Sequence, residues 1–442
     1  MEILLSIFYA FCFILLIRKM HFFRNCAIHP NLLTGIFILK IVAGILVWII
    51  YTYYYTDRCQ ADIYKYFDDS KVMVHALFSK PLDFFRMLFG IDCGGTYFKE
   101  HYFDVMQHWY RPQESNMFND NHTIIRFNAL AHLFSFGYFN VHTVIMCFLS
   151  FTGLTALFKA LAPFYPGKKN ALIALIYLIP SVLFWSSGVL KESLLIFALG
   201  LLIRKCLIIS AKQYKWTDIL VLVFCILLLL ILKVYILACL LPSLFTWYWV
   251  EKSSRKLILL KYLAIYAVYF AAALNLQHVS SDHNILETIV KKQKWFLGLA
   301  RNSQSGSAFQ MDVLNPTPSS FLKAAPEALM NSIARPFIWS KGNALSRMAA
   351  LENSAIIVFI LLCISKSKRM GAAERNLFIM LISYVLMLYL LIGWVTPVAG
   401  AIARYRVPGI PMLLAAFLLL VDENKINKLW TKTRSSQVPL PA

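Results

Sequence analysis

The stretch 217–250, TDILVLVFCILLLLILKVYILACLLPSLFTWYWV, is a long apolar run interrupted by one lysine, Lys233. A membrane-spanning helix needs about 20 mostly apolar residues. The run is too long for one ordinary span, so it reads as two, 217–232 and 234–250, meeting at Lys233. The same reading extends outward to 2–17, 31–55, 140–158, 171–188, 190–203, 257–275, 353–365, 376–394 and 407–421. The expected fold is all-α: a polytopic membrane helical bundle of about 11 transmembrane helices.

Composition agrees. Of 442 residues, 59% are hydrophobic and 15% charged, against about a quarter charged in soluble domains. So few charges leave much of the outer surface for lipid. That excludes a cytosolic enzyme, a disordered chain and a secreted disulfide scaffold. An outer-membrane barrel is excluded too, because its strands alternate and these runs are continuous. The first apolar segment lacks a basic leader and a small-residue cleavage site, so it reads as a retained span.

The net charge is +21, from 43 Lys and Arg against 22 Asp and Glu. Basic residues concentrate in every second connection: Arg18, Lys19 and Arg24; Lys159, Lys168 and Lys169; Arg204, Lys205, Lys212 and Lys215. Lys252, Arg255, Lys256 and Lys261 follow, then Lys366, Lys368, Arg369 and Arg375, and the tail carries Lys425, Lys428, Lys432 and Arg434. Short basic loops stay cytoplasmic. Eleven spans, with the N-terminus outside and the C-terminus cytoplasmic, satisfy all of them. The charge is then a topology signal, and no nucleic-acid partner is expected.

Two long segments fall on the outer face, about 56–139 and 276–352. The first holds 72–90, VMVHALFSKPLDFFRMLFG, whose apolar residues recur at 3–4 spacing. It is too polar to span and reads as an interfacial helix; 123–139 reads similarly, or as a re-entrant piece. The second holds a basic part around Lys291, Lys292 and Lys294, then a polar linker at 301–307. Cys59 and Cys93 are the two outer cysteines, either a disulfide or two free thiols.

Outer charges are the candidate chemistry. In DIYKYFDDS (62–70), Asp62 and Asp69 are seven apart, two turns along one helix face. Asp68 lies beside Asp69, a like charge expected to raise the Asp69 pKa. Carboxylates at a membrane surface suit either proton abstraction from a sugar hydroxyl or the binding of a divalent cation; Asp62 leads. Glu114 belongs to the same acidic segment. Lys191 and Glu192, in FWSSGVLKES, are either a structural ion pair or part of a site opening outward. Lys233 either reaches the headgroups or contacts a phosphate. Arg404 and Arg406 flank Tyr405 in RYRVP (404–408), either a bidentate phosphate clamp or an interfacial anchor; Arg335 and Arg126 are weaker cases. The histidines His101, His108, His122, His132 and His142 read as structural. No metal-site spacing is evident, so no metal ligands are assigned.

These features resemble the GT-C class of integral membrane glycosyltransferases. DIYKYFDDS resembles the acidic opening of that class's first outer loop, 72–90 its interfacial helix, and RYRVP its basic C-terminal element. ARPFIW (334–339) and FWSSGVLKES are also similar to runs in bacterial sugar transferases and polysaccharide polymerases. The resemblance covers 31–421, preceded by an extra N-terminal span and basic loop (1–30) and followed by a cytoplasmic tail (422–442). It departs from the class in that extra span and in lacking the Asp-Glu pair that some members carry at the loop opening. It implies a bacterial inner-membrane enzyme that moves sugar from a polyprenyl-phosphate-linked donor to a glycan, lipid or protein acceptor. An O-antigen or exopolysaccharide polymerase is the alternative, and a transporter or flippase for lipid-linked glycans is a third.

Overall fold

A computed structural model describes residues 1–422 except 56, 60, 111–118, 213, 279–283, 303–305 and 341. Glu114 and the four basic tail residues lie outside the described residues. The described chain is helical, and its β content is limited to two isolated bridges. Among the described residues seven helices are long and apolar enough to cross a membrane, or eight if a pair bent by 68° counts as one span. The eleven expected spans also count the first helix (Glu2–Lys19), the 171–188 region and a divided 217–250.

The chain forms two compact units, Met1–Leu161 with Ile176–Leu237, and Ala162–Leu175 with the described residues from Ala238 onward. Unit 1 begins with α1 (Glu2–Lys19), α2 (His21–Arg24) and α3 (Pro30–Ile49). Then come α4 (Asp62–Ser79), α5 (Pro81–Phe89), α6 (Thr96–His101), α7 (Asp120–Ser135) and α8 (Phe139–Leu161). The chain changes unit within α9 (Lys169–Tyr177). Unit 1 continues with α10 (Pro180–Trp185) and α11 (Lys191–Ser210), and ends within α12 (Trp216–Lys252).

Two sequence expectations are revised, and the interruption expected at Lys233 is present. The 72–90 segment is two helices, because Pro81 bars helical backbone at Lys80 (φ −142°, ψ 78°) and opens α5 at its first position. Gly90, at φ 72°, stops α5. The 171–188 segment is also two short helices, broken where Pro180 follows extended Ile179. Residues 217–250 are helical on both sides of Lys233, whose own backbone is extended at φ −154°, ψ 85°.

In unit 1, α8 and α11 cross closely. A Cβ at Gly153 would meet the Ile196 carbonyl oxygen at 2.2 Å, and one at Gly200 would meet the Gly153 oxygen at 1.9 Å. Small residues let backbones approach in this way. Helices α4, α5, α6 and α7 enclose an aromatic core of Tyr66, Met73, Phe84, Phe98, Phe103, Trp109 and Ile124. Tyr66, Asp69, Met73 and Ala76 share the buried face of α4, as 3–4 spacing requires.

Unit 2 contains α13 (Ile258–Asn275), α14 (Ile285–Asn302), α15 (Pro318–Ala334), α16 (Ala344–Ser365), α17 (Ala372–Val395), α18 (Ala399–Tyr405) and α19 (Ile410–Leu420). Gly393 of α17 lies under Ala328 of α15, where a Cβ would stand 2.0 Å from the carbonyl oxygen.

Candidate active site

Helix α4 starts at Asp62, so Asp62, Tyr66 and Asp69 follow one face. Asp69 is buried, and its two carboxylate oxygens accept the backbone amides of Gln107 and His108 at 2.8 and 2.7 Å. Burial pushes its carboxyl above the ordinary range. The two amides and His108 pull the other way, and neighbouring Asp68 adds only a small upward push. Asp69 thus positions a loop.

The other side of that loop is held by α7. Asn121 donates to the His108 carbonyl at 3.0 Å, and Asn119 to the Trp109 carbonyl at 3.0 Å. His122 Nε2 sits 2.7 Å from the same Trp109 oxygen and its ring stacks on the indole at 4.0 Å. Gripped from both sides, the loop aims the His108 ring at α4. His108 Nε2 lies 3.3 Å from Asp62 Oδ1, and Nδ1 lies 3.2 Å from the Gln107 carbonyl. Both groups of the Asp62–His108 pair are partly exposed.

Two lysines complete the cluster. The buried ammonium of Lys191 is 2.8 Å from Asp120, bonds Asn121, and lies 5.1 Å from the Tyr66 ring centre. Tyr66 in turn packs against His108 at 5.6 Å. Asp62, Tyr66, His108, Asn121, Lys191 and Asp120 therefore form one connected set. The next residue, Glu192, is buried and pairs with Lys233 at 3.3 Å. Lys191 and Glu192 thus take separate partners, Asp120 and Lys233. The Lys233 side chain is 8% exposed and has a carboxylate partner.

The remaining sequence candidates lie elsewhere. Asp68 turns away from Asp69 and takes a two-pronged bond from Arg58 at 2.8 and 3.0 Å. Arg126 donates to the Met87 carbonyl at 2.8 Å and lies 5.5 Å from the Trp109 ring centre. In unit 2, Arg335 bonds Asn331 at 2.7 Å and covers the Phe309 ring at 4.1 Å. Tyr405 packs edge-on to Phe296, and Arg404 is half-buried. Arg406 is 2% exposed. It bonds Asn353 and lies 3.4 and 3.3 Å from the Ser332 and Ile333 carbonyls that end α15. Those carbonyls have no partner within their own helix, so Arg406 fastens a helix end, and the two arginines of RYRVP do not form a matched pair.

Cys59 and Cys93 are both free thiols. Among the described residues no group of three or more His, Cys, Asp or Glu side chains is placed to hold a metal ion.

Sequence reasoning took His108 as structural and gave no role to Asp120, Asn121 or Tyr66. One signal was present: the run Asn119-Asp120-Asn121-His122 gathers four polar residues at the entry to α7. Four polar residues together at such a place need partners. Comparison with protein-family models, curated proteins and solved structures finds no match.

Proposed function

We propose that this chain is an integral membrane glycosyltransferase of about eleven spans. It moves a sugar from a polyprenyl-phosphate-linked donor to a glycan, lipid or protein acceptor at the outer face of a bacterial inner membrane. The supporting observation is the part-exposed Asp62–His108 pair, linked through Tyr66 to buried Lys191 in one unit. Asp62 takes the proton of the acceptor hydroxyl, and His108 orients it. The acceptor oxygen then bonds the anomeric carbon as the carbon–oxygen bond to phosphate breaks, and the phosphate leaves with the electron pair. Lys191 and Lys233 supply positive charge for that leaving group. In this reading, the exposed apolar row Phe78, Leu82, Phe85, Phe89 and Ile91 lies in the bilayer interface and sets the site's depth.

The polymerase alternative leans on outer arginines, and Arg406 is already occupied by protein groups. The test is transfer from a synthetic polyprenyl-phosphate sugar by the purified chain in vesicles, alongside mass spectrometry of cell-envelope glycans with and without the protein. No transfer with any donor and unchanged glycans would overturn the reading.

A further inference from the structure

Unit 2 holds a cavity of about 220 Å³ lined by α14, α15, residues 311–314 and the end of α17. The close approach at Gly393 forms its floor. Gln293 shapes a wall, donating to the Asp312 carbonyl at 3.0 Å and accepting from the Leu314 amide at 2.9 Å. Asn331 is buried, and its oxygen is taken by Arg335 Nε. Its Nδ2 has no hydrogen-bond partner among the described residues, and neither does the indole nitrogen of Trp394. Both side chains line the cavity. Two buried donors without acceptors are costly, and their meeting at one cavity points to a ligand that supplies oxygens.

The lining narrows the ligand class. Asp312, Glu327 and Lys323 stand exposed at the wall with Ser320. Two carboxylates against one lysine do not suit an anion. They suit hydroxyl groups, which donate to carboxylates and accept from amide and indole N–H. Trp394, packed edge-on to Phe321 at 5.0 Å, adds an apolar surface for a C–H face. Drug-sized ligands occupy about 300–1,000 Å³, so this smaller space fits one ring.

We propose that this cavity binds a single sugar ring, held by Asn331, Trp394 and Glu327, as a site apart from the Asp62 cluster. The preference for a sugar over other polyols rests on the transferase reading.

The test is calorimetric titration of the detergent-solubilised full chain with glucose, galactose, N-acetylglucosamine and the non-sugar polyol myo-inositol. At least one sugar is expected to bind near the millimolar range, about −4 kcal/mol. Trp394→Phe and Glu327→Gln should each weaken it by about tenfold. Glu327 is exposed, so its variant keeps the test valid if Trp394→Phe fails to fold. Asp62→Asn should bind the sugar as the wild type does. Heat with inositol alone, no heat with any sugar, or unchanged affinity in folded Trp394→Phe and Glu327→Gln would each overturn the proposal. Sugar binding by a chain that transfers nothing would uphold this site and sink the transferase reading.

Discussion

The carboxylate of Asp69 holds the backbone amide of His108 at 2.7 Å, and the His108 ring turns back to Asp62, two turns away on the same helix face, at 3.3 Å. A buried acid thus fixes the partner of a part-exposed one. The roles differ because the surroundings do: Asp69 faces two amides, and Asp62 faces an imidazole at the edge of the unit.

Asp62→Asn should fold normally and lose transfer by about 10²–10⁴-fold, the usual contribution of a positioned base. The charge disappears while the shape stays. Transfer assays on chains with matched melting curves decide it, and wild-type turnover would remove Asp62 from the mechanism.

Asp69→Asn should be a stability variant. An amide side chain offers one oxygen to two backbone amides, so one buried N–H loses its acceptor, at about 1–3 kcal/mol. The pH response carries a sign. Burial raises the Asp69 carboxyl, so the folded chain keeps this proton to a higher pH than the unfolded one. The group's contribution is full below the ordinary carboxylate range and is lost as pH rises through the raised value. Thermal melts across that window should show a falling slope in the wild type that Asp69→Asn removes. Equal slopes would refute the assignment.

Arg404 and Arg406 should separate cleanly. Arg406→Lys cannot reach Asn353 and the α15 carbonyls together, so it should lower the melting temperature, by about 2–4 kcal/mol in stability. Arg404, half-buried where Arg406 is buried, should tolerate Ala with a smaller loss. Melting curves on both variants check this; a larger loss in Arg404→Ala than in Arg406→Lys would refute the assignment.

Reporter fusions after residue 422 should be active only in the cytoplasm, because the basic connections alternate. Activity on the outer face would undo the orientation, and with it the outer placement of the Asp62 cluster.

The helices were legible because apolar runs declare themselves: the 217–250 stretch gave both its helical character and its interruption at Lys233. The face shared by Asp62 and Asp69 followed from spacing alone. Spacing along one helix says nothing of what packs against it, so the loop at His108 and the Asn119–His122 run went unassigned. The arginine pair misled for a related reason. Two adjacent guanidinium groups look alike in sequence, and only the fold shows that α15 ends beside one of them. The breaks at Pro81 and Pro180 were readable from proline chemistry, but the apolar runs drew the reading through them.

The crossing of α8 and α11 bears on how this sequence can drift over generations. In most packed contacts a bulkier residue on one side is rescued by a smaller one opposite. Gly153 and Gly200 leave no such route, since each already lacks a side chain and the obstacle is main chain of the facing helix, Ile196 and Phe197 for Gly153 and Gly153 itself for Gly200. A change at either position has no second-site suppressor within the pair. A saturation library at the two codons should recover glycine at both together, with no compensated double variants.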